Sequence, residues 1–205
     1  MSKLDSLLLT NNNISDWLVL SQLDLQYLSV SNTDFSDVSL VTQMTNLTGL
    51  NVNYVNLDPT NWALITNLET LWSLQASGSN ISSLEGLTNL SSLALDHTYV
   101  YDFTPLKNLQ LGYFTANNTT FDDFDNLAGS QNTLHQLNIS YTNITELTPI
   151  YSFTNLSYLH ANVPTFGTIE NGILFDLYNN GMTIYEAPDN NANGIFDFLE
   201  DIDGD

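Results

Sequence analysis

The chain has no cysteine, no arginine and only two lysines, Lys3 and Lys107, against 23 acidic residues. Without cysteine, disulfides cannot hold the fold together, and thiolate metal sites are excluded. Nucleic acids and anionic membrane surfaces are excluded as partners, because both require basic residues opposite their phosphates. Three explanations of the acidic excess remain: binding of basic partners, binding of divalent cations, or solubility alone.

Long apolar runs are also missing. No run approaches the roughly 20 residues that span a bilayer, so we predict no membrane insertion. The first residues, "MSKLDSLLLTNNN", lack the basic region and long apolar stretch of a signal peptide. We expect either a cytosolic protein or a piece of a longer secreted precursor.

A repeat is what the sequence does contain. The stretch "LNISYTNI" (137–144) has the form L-x-L-x-x-N/T-x-I, and eight such copies occur between residues 7 and 166. The closing apolar residues of the copies fall at positions 14, 35, 57, 81, 100, 121, 144 and 166. Their spacing of 19 to 24 residues places insertions and deletions in the connecting segments, as repeat architectures do.

Within one repeat, the stretch "ITELTPIYSFTNLSYLHANVPTF" (144–166) carries an apolar residue at every third position. These residues are Ile144, Leu147, Ile150, Phe153, Leu156 and Leu159. A period of three fits neither an α-helix nor a strand, but it suits short 3₁₀ turns, in which residues three apart face the same side. Each repeat therefore predicts one coil of a solenoid, with L-x-L as a strand and stacked coils burying the apolar stripe together.

The repeats resemble those of bacterial internalin-like leucine-rich repeat proteins, over residues 4–166 and best in 81–100 and 144–166. The resemblance implies an α/β solenoid, a leucine-rich repeat horseshoe with a parallel β-sheet on its concave face and 3₁₀ or short turns on its convex face. We predict eight coils over 1–166, a C-terminal cap over 167–188 that ends in the strand "MTIY", and an acidic calcium-loop linker over 189–205. We expect a monomer.

An acid recurs two residues after the closing apolar residue in five repeats. The five are Asp16, Asp37, Asp102, Asp123 and Glu146. Stacked coils would align them as an anionic stripe for a basic partner. The other interpretation, which we favour, is that they cap the start of a helical turn by accepting hydrogen bonds from its free N–H groups.

The outward side chains of the predicted sheet differ in composition from the rest of the chain. Five positions per repeat point outward, 40 in all, and only two of the 23 acids fall there, together with all three histidines and five of the ten tyrosines. The predicted ligand-binding residues are Tyr27, Tyr54, Trp72, Asp96, His97, Tyr113, His135, Tyr141, Tyr158 and His160. Aromatic side chains with polar tips are typical of recognition surfaces, although tyrosine also tolerates exposed strands on its own account.

Catalysis is not expected. Asp96 and His97 form the only acid–base pair on this face, and neighbouring strand residues point to opposite sides. The chain has no cysteine nucleophile and no serine in a nucleophile elbow. An open sheet also excludes water poorly.

A separate motif, "DNNANGIFDFLE" (189–200), matches the D-x-[DN]-x-[DN]-G-x₅-E calcium loop. Its predicted Ca²⁺ ligands are Asp189, Asn191, Asn193, Ile195 through its carbonyl, Asp197 and Glu200. The following "DIDGD" begins a second acidic loop, and the tandem resembles thrombospondin type 3-like repeats. The alternative is a disordered acidic tail.

Together these features predict a protein- or glycan-binding module for adhesion or recognition, in an extracellular or surface-displayed bacterial protein. The alternative is a structural spacer with a calcium-stiffened linker and no ligand of its own.

Overall fold

The computed structural model describes residues 4–163 and 168–185, together with Ala187, Phe196 and Leu199. Nine strands form a single parallel sheet in which sequence order equals spatial order. The strands are β1 (Ser6–Leu8), β2 (Tyr27–Ser29), β3 (Gly49–Asn51), β4 (Ser73–Gln75), β5 (Ser92–Ala94), β6 (Tyr113–Thr115), β7 (Gln136–Asn138), β8 (Tyr158–His160) and β9 (Thr183–Tyr185). Each strand begins a coil, which we number after it.

Short helices occupy most of the return segments between strands. They are η1 (Leu18–Gln22), η2 (Val38–Val41), α1 (Pro59–Thr66), η3 (Thr104–Asn108), η4 (Phe124–Ser130), η5 (Thr148–Ser152) and α2 (Thr168–Asn179), where η denotes a 3₁₀ helix. Strands stack at about 4.8 Å, whereas helices are about 10 Å wide, so the sheet lies on the concave side of the stack. The predicted leucine-rich repeat solenoid is confirmed.

The core lies between the sheet and the return segments. The period-three residues of 144–159 are all buried, from Leu147 at 0% exposure to Leu156 at 8%. Both leucines of an L-x-L unit are buried as well, as Leu93 and Leu95 show. Around Phe121, rings pack edge to face, with Phe114 at a centroid distance of 5.5 Å. The eclipsed 3₁₀ geometry therefore explains the unusual sequence period.

Coils 3 and 4 depart from the predicted short turns. Coil 3 contains an eight-residue α-helix, which starts at an Asp-Pro signal: Asn61 N donates to Asp58 Oδ1 over 2.8 Å, and Pro59 occupies the first turn. Its repeat step of 24 residues is the longest and makes room for the extra turns. Coil 4 has the shortest step, 19 residues, and its return segment 81–90 contains no helix.

The C-terminal segment adds one strand to the eight coils expected from the repeats. β9 forms where the sequence predicts a final strand, and it pairs in parallel with β8, with Leu159 opposite Ile184. The last repeat's closing residue, Phe166, lies outside the described residues, as do all six predicted calcium ligands. Phe196 and Leu199, however, are partly buried against the core.

The recurring acids act mainly as caps. Asp16, Asp37, Asp102 and Asp123 each accept a hydrogen bond from the backbone N–H two residues further on, over 2.8 to 3.1 Å. Asp102 accepts hydrogen bonds from the hydroxyl and the backbone N–H of Thr104. These bonds, the hydroxyl's first, hold the pKa of the Asp102 carboxyl below its ordinary value of 3.8. The capping interpretation is confirmed for these four.

None of the helices in the described part of the chain combines the length and the apolar character needed to cross a membrane.

Candidate functional site

One edge of the concave face is a column of residues with left-handed backbone, one in each of coils 1 to 7, three residues after the end of the strand. This turn column comprises Asn11, Asn32, Tyr54, Gly78, His97, Asn118 and Tyr141, with φ between 53° and 65°. The left-handed turn aims the backbone N–H at the next coil: Tyr141 N donates to Asn162 O over 2.7 Å, and the other six donate likewise. The turn is therefore part of the ladder that holds the coils together.

Two members of the turn column are unsuited to their backbone, and a third is less so. Glycine and asparagine adopt positive φ readily, and they fill four of the seven positions. Histidine is also enriched there, whereas tyrosine is not, so Tyr54 and Tyr141 carry more strain than His97, on the scale of about 1–2 kcal/mol for an ordinary L-residue. All three side chains are exposed. Strain of this kind points to a role for the side chain rather than for folding.

Asp96 lies in a hydrogen-bonded ladder between coils. Its Oδ1 accepts from Asn117 N over 2.7 Å, and its Oδ2 accepts from Thr115 Oγ1 over 3.1 Å. Burial raises the pKa of the Tyr113 phenol above its ordinary value of 10, and the negative charge of Asp96 raises it further. Asp96 thus joins its own coil to the next one through hydrogen bonds. The Tyr113 phenol is protonated at physiological pH.

The Asp96–His97 pair is not joined in the structure. The His97 ring binds the next coil, with Nδ1 at 2.9 Å from Asn118 Nδ2, while Asp96 binds Thr115 and Asn117. The two neighbours therefore lack the hydrogen bond that an acid–base pair requires.

Two tyrosine rings pack against glycines of the following coil. The Tyr27 ring covers Gly49, where an added Cβ would lie 2.6 Å from Tyr27 Cδ2. The Tyr54 ring covers Gly78 in the same way. Each ring is thus held against the sheet; Tyr54 is exposed and Tyr27 is half-buried. A side chain held in this way loses less entropy when a ligand binds.

Aromatic residues of coils 8 and 9 are stacked on the sheet. The Tyr185 ring lies 4.7 Å from His160 and 6.5 Å from Tyr158 between centroids, nearly parallel to both. Tyr185 occupies the same register as His160. Sequence reasoning missed it because the repeat formula stops at residue 166, although the strand signal of "MTIY" places its tyrosine on this face.

The remaining predicted residues, Trp72 and His135, precede their strands along the opposite edge of the face. Trp72 is 56% exposed, and His135 Nδ1 donates to Thr133 O over 2.6 Å. Two still more exposed tyrosines, Tyr99 at 83% and Tyr101 at 79%, belong to the return segment of coil 5, outside the sheet.

The predicted residues form a strip and not a single pocket. Tyr27 in β2 and His160 in β8 are six strand steps apart, about 29 Å at 4.8 Å per step. Across the face, six residues separate the two edge columns, about 20 Å. In the described residues, no group of three acidic or histidine side chains is placed to hold a metal ion.

Solved structures with the same fold are similar over most of this chain. Internalin F from Listeria monocytogenes is 24% identical, with a TM-score of 0.66 over 78% of this chain and 48% of its own. Internalin C2 from the same organism is 23% identical, with a TM-score of 0.66 over 76% of this chain and 70% of its own. The chain thus spans about half the length of the internalin F structure.

A more distant match is the leucine-rich repeat protein FLRT2, solved in an octameric complex with Latrophilin 3 and Unc5D. It is 12% identical, with a TM-score of 0.52 over 94% of this chain and 79% of its own. No family model and no curated protein sequence matches the chain. The comparisons show the leucine-rich repeat fold.

Proposed function

We propose that this chain is a recognition module that binds a protein partner along its concave face. The observation that carries the proposal is the turn column, in which Tyr54 and Tyr141, with His97 between them, hold left-handed backbone that asparagine would accept more easily than tyrosine. Their exposed side chains share one edge of the strip. A role in binding accounts for a residue choice that folding alone disfavours.

The size and chemistry of the strip support a macromolecular ligand. A strip of about 29 Å by 20 Å covers about 580 Å², which is below the roughly 800 Å² that one partner buries in a standard protein interface but far larger than a small-molecule pocket opening. Tyrosine and tryptophan, which are enriched at interfaces, provide apolar area with hydrogen-bonding tips. Charge is nearly absent, since only Asp5 and Asp96 are acidic at the outward positions of the eight repeats. A highly charged ligand therefore fits this face poorly.

A glycan is the second candidate for the same face, because stacked rings such as Tyr158 and Tyr185 suit sugar faces. A protein ligand is preferred over a glycan because the strip of binding residues is long and open. The FLRT2 repeats, which share the fold, were solved together with protein partners. A spacer without a ligand would give no reason for the strained tyrosines. We place the module in a secreted or surface-displayed bacterial protein, by analogy with the internalin fold.

The experiment compares two sets of matched variants on protein and glycan arrays. The concave set is Tyr54→Asn, His97→Asn and Tyr141→Asn combined; the control set is Tyr99→Asn, Tyr151→Asn and Tyr178→Asn, all exposed, outside the sheet and outside the hollows of the return side. We expect wild type and control to bind the same protein spots and the concave variant to lose them. Equal binding by all three proteins contradicts the proposal. If wild type and control bind glycan spots alone and the concave variant loses those spots, the ligand is a glycan rather than a protein.

We also propose that residues 189–200 bind Ca²⁺, on the sequence motif alone. Phe196 and Leu199 belong to this segment and pack against the core, so calcium bound there would stabilise the last coil. Calorimetric titration of Ca²⁺ into wild type and Glu200→Gln, with melting temperatures of both, tests the site. A wild type that takes up no heat and shows no rise in melting temperature contradicts it.

A further inference from the structure

The return side of the solenoid has a hollow where coil 3, with its 24-residue step, lies beside coil 4, the shortest coil. α1 projects from coil 3, whereas the return segment of coil 4 has no helix, so α1 forms a wall above a low floor at residues 82–86. The hollow, which we name the trough, has a volume of about 440 Å³ and lies between Trp62 of the wall and Glu85 of the floor. This is within the usual size of ligand pockets.

The wall of the trough is a fixed aromatic ring. Trp62 Nε1 donates to Asn80 Oδ1 over 3.1 Å, and Asn80 is itself held by two hydrogen bonds to the backbone of Leu57, of 2.9 and 3.0 Å. Because the only polar atom of the indole is already bonded, the ring offers apolar and π surface to the hollow. A ring fixed in advance binds with little loss of side-chain entropy.

The floor of the trough is negatively charged. Glu85 is exposed, and among the described residues nothing bonds to its carboxylate. The C-terminal turn of α1 ends at Thr66, which lines the trough and adds the partial negative charge of a helix C-terminus. Gly86, with φ of +87°, brings the floor backbone against Thr66 and closes that end.

The same floor continues toward η3 as a second hollow of about 560 Å³, whose far wall carries Tyr101 and Asp102. Among the described residues, Lys107 belongs to η3 but does not line either hollow. The linings of the two hollows thus combine carboxylates with aromatic rings.

From this arrangement we propose that the trough binds an arginine side chain of a partner peptide. A guanidinium stacks on an indole face and forms paired, charge-assisted hydrogen bonds to a carboxylate, and the trough supplies both groups. Lysine would gain the charge attraction but not the planar fit. The site lies on the return side of the coils, so it is independent of the concave-face function.

The three tryptophans make this site separately observable. Trp62 lines the trough, Trp72 lies on the concave face, and Trp17 donates to Asp34 near the first coils. With ¹⁵N-labelled tryptophan, the full chain gives three indole N–H signals. The probe is the peptide acetyl-Gly-Arg-Gly-amide, and its citrulline counterpart is a neutral control of the same shape.

We expect the arginine peptide at 150 mM salt to shift the Trp62 signal in a saturable way and leave Trp17 and Trp72 in place. Citrulline should weaken binding about three- to tenfold, and Glu85→Gln should do the same. Glu146→Gln, an equal loss of charge at an exposed site in another coil, should leave the affinity unchanged.

Three results would overturn the assignment. The first is equal shifts of all three signals, which would indicate general attraction to an acidic protein. The second is equal affinity for the arginine and citrulline peptides. The third is a Trp62 shift produced by a neutral oligosaccharide but not by the arginine peptide. None of these bears on the array result for the concave face, so the two proposals fail separately.

Discussion

The sheet side and the return side of the coils follow different rules. Across the sheet, all eight strand pairs are parallel and each joins three residue pairs without a slip. Across the return side, neighbouring coils carry a 3₁₀ helix, an α-helix or no helix. Backbone pairing fixes each strand, whereas a return segment has only to bury its apolar residues, so its length can vary.

The two sides of the solenoid therefore vary from coil to coil in different ways. On the concave face the backbone repeats and the side chains vary, which produces a broad patterned strip. On the return side the backbone itself varies, and a long coil beside a short one produces the trough. A flat strip suits a large partner, while a hollow suits one side chain or a small ligand.

The largest expected effect comes from breaking the core that both sides share. Phe114 of β6 is fully buried, and its ring centroid lies 5.5 Å from that of Phe121. Phe114→Ala should lower the free energy of unfolding by about 3–5 kcal/mol in urea denaturation. Tyr99→Ala, a change at an exposed ring, should alter it by less than about 0.5 kcal/mol. Comparable losses for both variants would contradict the described core.

Glycine-to-alanine changes on the return side should have smaller effects on the free energy of unfolding, with opposite signs at closely packed and open positions. A Cβ at Gly129 in η4 would lie 2.5 Å from Leu109 O and 2.8 Å from Lys107 O, so Gly129→Ala should destabilise by about 1–3 kcal/mol. At Gly172 in α2 nothing lies within 4 Å, and Gly172→Ala should stabilise by about 0.5–1 kcal/mol. Urea unfolding checks both, and equal signs would mean that the return segments do not pack as described.

The stacked aromatic residues on the concave face should contribute less again. Tyr185→Ala removes the contacts with His160 and Tyr158, and we expect a loss of about 0.5–1.5 kcal/mol in the free energy of unfolding. Tyr185→Leu keeps apolar area without the ring and separates stacking from burial. If Tyr185→Leu and Tyr185→Ala behave alike and neither lowers the free energy of unfolding, the aromatic stack does not hold coil 9 to coil 8.

The smallest effect is a pH dependence of the caps on the return side. Hydrogen bonds lower the pKa of Asp102 below 3.8, so its stabilising contribution is present above that pH and is lost as pH falls through the lowered value. The melting temperature of Asp102→Ala should therefore lie below that of wild type at pH 7, and the gap should narrow as the pH falls below 3.8. A gap that stays the same size throughout that acid range would show that the carboxylate charge is not what caps the turn.

Much of the fold was predictable, because the repeat formula states which residues are buried. The period of three in 144–159 gave the inward edge of one coil, and the L-x-L units gave the strands. α1 was missed as a helix, although "DPTNW" (58–62) carries its start signal. β9 continues the sheet beyond the formula, which is why Tyr185 was not included in the predicted site.

The site was predictable by position but not by conformation. The pattern placed Tyr54, His97 and Tyr141 on the concave face, yet only the backbone shows their left-handed strain. The trough was beyond prediction for another reason. It arises from two coil lengths lying side by side, and Trp62 and Glu85 belong to segments that look like ordinary connections in sequence.

The most direct test of the account is the unfolding free energy of the combined Tyr54→Asn, His97→Asn and Tyr141→Asn variant. If these residues are kept for recognition, relief of left-handed strain should offset their lost contacts, including the 3.0 Å bond from Asn162 Nδ2 to the Tyr141 hydroxyl. We predict stability equal to wild type, or higher by up to about 1 kcal/mol per site. A loss greater than about 1 kcal/mol per site would show that the side chains serve folding, and would contradict the account.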